Sequence, residues 1–106
     1  MRVLLDECDP RKFRRELPRH TVQTIPEMGW SGLKNGALLM AMSVDGFEVL
    51  VTVDQNLRYQ QNLASYGAAI VVMVAATNRI EDLRPLASDV LQALTMIQPG
   101  EIIEVG

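Results

Sequence analysis

One hundred and six residues, 48% hydrophobic and 22% charged, suit one globular domain spanning 1–106. A chain of this length buries roughly 65% of its unfolded surface, enough for a core without staples. A formal net charge of −3 argues against nucleic-acid binding driven by bulk charge, and the single cysteine excludes an internal disulfide and a CxxC metal or redox site.

The first apolar run, RVLL, predicts a short strand over 2–5. It is too short, and too soon followed by acids, to serve as a signal peptide. With one unpaired thiol, Cys8, a reducing cytoplasm is the expected setting. Asp9-Pro10 has the pattern of a helix start, with Asp9 as N-cap and Pro10 at the first helical position. That helix is expected to run to about Leu17 and stop before Pro18, with Phe13 and Leu17 facing inward. RKFRRELPRH puts Arg11, Lys12, Arg14, Arg15 and Arg19 in one stretch, which reads either as a solvated helix face or as a phosphate-binding patch.

HTVQTIP predicts a second strand with Val22 and Ile25 inward. GWSGLKNG is a glycine-punctuated loop, and ALLMAMS a helix with Leu38, Leu39 and Met42 on its inner side. FEVLVTVD reads as a third strand, DQNLRYQQNLASYG as a loop with one or two helical turns, and AAIVVMVA as a buried fourth strand. The run around that fourth strand is about half the length of a membrane helix, so no membrane association is expected. The last helical stretch, NRIEDLRPLASDVLQALTMI, has Asn78 and Glu81 spaced as a capping box, and Pro85 predicts a kink or a new start. PGEIIEVG supplies a turn and a short fifth strand at an edge.

Apolar strands alternating with helices imply an α/β fold: a doubly wound, mostly parallel five-stranded sheet with helices on both faces. Right-handed crossovers with the first strand central give the order 2-1-3-4-5. In such sheets ligands lie beyond the carboxyl ends of the strands, where strand order reverses. Asp6 ends the first strand and Asp54 follows the third, so the two acids are expected as neighbours at that point, one strand spacing of about 5 Å apart. Two carboxylates at that distance repel by about 3 kcal/mol at an effective dielectric of 20, a cost relieved by a proton or a cation. A hard ion, Mg²⁺ or Mn²⁺, suits oxygen ligands and phosphoryl chemistry. Capping of a turn is the alternative role for either acid.

Three stretches, LLDE after the first strand, GLKNGALL opening the second helix and VTVDQNL after the third strand, together resemble the short PIN-like domains. The likeness covers nearly the whole chain. It implies a metal-dependent ribonuclease, a hydrolase of the toxin type, with RNA as substrate and an antitoxin-type protein or a second copy as partner. By that resemblance Asp6 and Asp54 are the catalytic acids and hold the ion, Asn35 and Asn56 stand where further acids are usual, and Arg11, Arg14 and Arg15 guide phosphates. The two amides add no negative charge, so a weakened nuclease is one expectation. A non-catalytic PIN-like module, forming a dimer or a toxin–antitoxin complex, is the other.

Other residues divide similarly. Glu27 is either a third acid or a surface residue, and Trp30 either a plug under a loop or a stacking surface for a base. His20 has no partner for a catalytic triad, and Cys8 reads as a small buried filler. A receiver-type phosphoacceptor would need a lysine after the fifth strand, but the lysines are Lys12 and Lys34.

Overall fold

The computed structural model describes residues 1–33, 35–54 and 63–106; of Asn35 it describes the backbone. Five strands, β1 (Arg2–Leu5), β2 (Thr21–Thr24), β3 (Val49–Thr52), β4 (Ala69–Met73) and β5 (Ile102–Val105), form one sheet in the order β2-β1-β3-β4-β5. Every neighbouring pair is parallel. The order expected from crossover handedness is therefore the order found.

The period of two along each strand divides the core into two layers. Val3, Leu5, Val49, Val51, Ala69, Val71 and Met73 face one side, where Phe13, Leu17, Leu83, Val90 and Leu94 pack on them. Leu4, Leu50, Ile70 and Val72 face the other, under Leu38, Leu39 and Met42 of helix α1 (Asn35–Asp45). Helices α2 (Ile80–Leu83) and α3 (Ala87–Met96) thus cover the face opposite α1. Gly46, at φ +82°, ends α1 in the left-handed region that suits glycine, and the next amide, of Phe47, returns to the Met42 carbonyl at 2.9 Å.

Several local expectations hold. Pro85 falls in a 3-10 turn, Arg84–Leu86, that separates α2 from α3, and β5 is an edge strand with half-buried apolar residues. A 3-10 turn at Ala64–Tyr66 lies in the loop before β4, while Gln55 to Asn62, including Tyr59, lies outside the described residues. Among the described residues no helix is long and apolar enough to cross a membrane.

Two capping expectations are corrected. The segment after Pro10 is a 3-10 helix, Arg11–Glu16, whose N-cap is Pro10 in an extended conformation with no side-chain cap bond. Asp9 is not its cap; the carboxylate turns inward. Asn78 does not cap α2 either. Thr77 accepts the Arg79 amide at 3.0 Å and donates to Asp82, leaving the Asn78 side chain to reach the Cys8 carbonyl at 2.8 Å. That bond ties the loop after β4 to the loop after β1.

Candidate functional site

The rim beyond the carboxyl ends of β1 and β3 is organised by one buried hydroxyl. Leu5 pairs with Val51 across the two strands, which sets Asp6 beside Thr52 one step later. The Asp6 amide continues the ladder to the Val51 carbonyl at 3.0 Å. Thr52, fully buried, donates its hydroxyl to Asp6 Oδ2 at 2.7 Å and accepts the Asp54 amide at 3.0 Å. Asp6 Oδ1 accepts the Glu7 amide at 2.8 Å. Asp6 and Asp54 therefore share this rim through Thr52, with Asp6 half-buried and Asp54 exposed.

A third acid closes in on Asp6 from the same loop. The Asp9 amide donates to the Asp6 carbonyl at 3.0 Å, and the side chain is only 7% exposed. Cys8 Sγ lies 3.8 Å from Asp9 Oδ1 and 3.8 Å from Thr52 Oγ1, while Asp9 Oδ2 has no hydrogen-bond partner among the described residues. Burial pushes the Asp9 carboxyl well above its usual range, and the Asp6 charge adds to the rise. Nearby amides of Asp6 and Val53 and the Cys8 thiol oppose the shift without cancelling it. Burial, with the Asp9 and Asp6 charges, also raises the Cys8 thiol against the pull of the Val53 amide, the reverse of what a nucleophile requires.

The basic stretch meets these acids at a cavity of about 250 Å³ lined by Asp6, Glu7, Asp9, Arg11, Thr24 and Glu27, with Pro26. A second cavity of about 300 Å³ lies among Arg11, Lys12, Arg14, Arg15 and Glu27. Arg11 and Glu27 line both, so the acidic and basic spaces adjoin. Glu27 is a further acid of this rim, yet its charge is already matched. Arg14 Nη2 lies 2.6 Å from Glu27 Oε1, the Thr24 amide donates to the same oxygen at 2.9 Å, and the Glu27 amide returns a bond to Thr24 Oγ1 at 3.2 Å. The Arg14 guanidinium foremost, and then the Thr24 amide, hold the Glu27 carboxyl down at about 2.

Comparison with known protein families, with curated proteins and with solved structures finds no match. The site is therefore read from its own chemistry. Asn56 lies outside the described residues, as does the side chain of Asn35, which opens α1. Trp30 packs edge to face on Phe47, with centroids 5.7 Å apart, and the Arg2 guanidinium covers the same ring at 4.1 Å. Phe47 precedes β3, so the Trp30 ring, from the loop after β2, packs toward the end of the sheet away from the acids and acts as a plug on the layer under α1. His20, half-buried just before β2, is also at that far end.

Three positions escaped sequence reasoning. Asp9 followed by Pro10 imitates a cap, Thr52 hides in a β-branched strand, and Asn78 imitates a second cap. The signal for Thr52 was available: strand register alone sets it beside Asp6.

The Asp9 shift gives a pH prediction for metal-free protein. A carboxyl raised above its unfolded value, near 3.8, favours the folded state fully below that pH. The advantage fades as pH rises through the folded value. Asp9→Asn should therefore leave stability near pH 3 almost unchanged and raise it at pH 8. Relief of an unpartnered buried charge is worth about 1–3 kcal/mol. Urea denaturation in EDTA at the two pH values reads the difference, and equal effects at both would contradict the assignment.

Proposed function

We propose that this chain is a PIN-like, metal-dependent ribonuclease, acting in the cytoplasm, with Asp6 and Asp54 as the acids of its site. The observation that carries the reading is the adjoining pair of cavities beyond the carboxyl ends of β1 and β2, acids on one side and arginines on the other, with the Asp54 amide bonded to the same Thr52 hydroxyl that holds Asp6. The acidic side suits a small hard cation and the basic side suits phosphate oxygens.

The residues fit Mg²⁺ or Mn²⁺ on one specific count: a buried carboxylate oxygen, Asp9 Oδ2, has no hydrogen-bond partner among the described residues. Mg²⁺ commonly takes one or two protein carboxylates and completes its shell with water and substrate phosphate. Bound there, the ion would neutralise phosphate charge and lower the pKa of a coordinated water. The chain supplies the rest. Thr52 fixes the rotamer of Asp6 through a 2.7 Å bond. Exposed Arg11 and Arg15 would hold successive phosphates, while Arg14 is engaged by Glu27. A net-acidic protein with this local basic groove would bind a single strand by contact rather than by long-range attraction, so its affinity should fall with salt.

The second reading, a non-catalytic PIN-like module, draws on two observations. Among the described residues no group of three or more His, Cys, Asp or Glu side chains is placed to hold an ion. Helix α1 also presents an outer face without charge before Asp45, with Met40 52% and Val44 80% exposed, suited to a second copy or an antitoxin-type partner. The two readings part on one experiment. A labelled single-stranded RNA incubated with the protein in MnCl₂ is expected to be cut, and the same mixture in EDTA to stay intact. Equal cleavage in both, or none in either, would remove the ribonuclease reading.

A further inference from the structure

Asp9 is the acid at this rim with a buried carboxylate oxygen that no hydrogen bond reaches among the described residues. Asp6 takes the Thr52 hydroxyl and the Glu7 amide, and Glu27 takes Arg14 and the Thr24 amide. Asp9 takes the Cys8 thiol on Oδ1, and Oδ2 has no hydrogen-bond partner among the described residues, although the residue lines the same cavity as Asp6. Arg11 lines that cavity too, yet among the described residues it makes no ion pair with Asp9.

The loop that carries Asp9 is fixed on three sides. Its amide is bonded to the Asp6 carbonyl, the Asp6 amide to Val51, and the Cys8 carbonyl to the Asn78 side chain. Pro10 then restricts the exit of the chain. A carboxylate held this firmly in a buried position cannot swing into water to find its hydrogen bonds. Burying it as an anion without a partner is costly, so the position calls either for a proton or for a positive group that enters the cavity, and the cavity is open to the second.

We propose that Asp9, with Asp6, is the inner carboxylate pair for a divalent cation of the Mg²⁺ or Mn²⁺ class. This rests on the metal-dependent reading above and alters its ligand set: Asp54, exposed at the outer side of Thr52, becomes the lesser contributor. Two carboxylates reached from one cavity, with space for water, match what such an ion uses.

The test is isothermal titration of MnCl₂ into the full chain as wild type, Asp6→Asn, Asp9→Asn and Asp54→Asn at one pH. Asp9→Asn is nearly isosteric and removes a buried charge, so it should fold; Asp9→Ser is the second variant, and circular dichroism verifies both. Expected is a Mn²⁺ affinity at least tenfold weaker in Asp6→Asn and in either Asp9 variant, with a smaller loss in Asp54→Asn. Affinity unchanged in the Asp9 variants but lost in Asp6→Asn would overturn the role of Asp9 while leaving the metal-dependent reading in place. No binding by wild type at millimolar Mn²⁺ would overturn both. Tenfold weakening in the Asp9 variants of a protein that never cuts RNA would uphold the ion site and end the nuclease reading alone.

Discussion

Asp6→Asn is expected to lower Mn²⁺-dependent RNA cleavage by about 100-fold or more, equivalent to about 2.7 kcal/mol of transition-state stabilisation. The substitution keeps the shape of the side chain and removes its charge. An amide oxygen can still accept the Thr52 hydroxyl that now reaches Asp6 Oδ2 at 2.7 Å. The NH₂ then faces the Glu7 amide that now donates to Oδ1, so a donor meets a donor and one of the two bonds is lost. Loss of one such bond costs about 1 kcal/mol of stability, small beside the effect on activity. Activity and denaturation measured on the same preparation separate the two. Cleavage within a few-fold of wild type would mean that Asp6 has no part in the chemistry.

The largest effect on stability is expected from Leu50→Ala. Leu50 is 0% exposed on β3, the central strand of the five, and belongs with Leu4, Ile70, Leu38, Leu39 and Met42 to the layer beneath α1. Removing its branched end leaves a cavity with rigid strands on both sides, so little collapse can fill it. The expected cost is about 2–5 kcal/mol. A domain of this class has about 5–15 kcal/mol in all, so a large part of its stability would go. Val44→Ala on the outer face of α1, where the side chain is 80% exposed, should change stability by less than about 0.5 kcal/mol. Urea midpoints for the two variants give the comparison, and similar values for both would contradict the layer assignment.

The fold was legible because its signals are long and redundant. Short strands, most of them apolar, alternating with helical segments leave little choice of topology, and Pro85 marks the break between α2 and α3 where it occurs. The rim at the ends of β1 and β3 followed from topology alone. What lay inside it did not. Asp9 and Asn78 both satisfy local capping patterns, and those patterns hold no information about a carbonyl 70 residues away, which is what Asn78 bonds. Asp9 turns inward because Pro10 adopts an extended conformation before a 3-10 helix, a choice between two helix starts that sequence spacing does not separate. Glu27 shows the same difficulty. Its spacing from Thr24 is that of a capping box, but its partner Arg14 comes from another element and neutralises it.

All of this turns on whether the acidic rim takes up a divalent cation. Thermal melting of the wild-type chain in MnCl₂ and in EDTA puts the question most directly. At ten times the dissociation constant a bound ion stabilises the folded state by about 1.4 kcal/mol. For a domain of this size that raises the melting temperature by roughly 5–10 °C. We expect that rise in the wild type and its absence in Asp6→Asn. Identical melting curves in MnCl₂ and EDTA for the wild type would contradict the account.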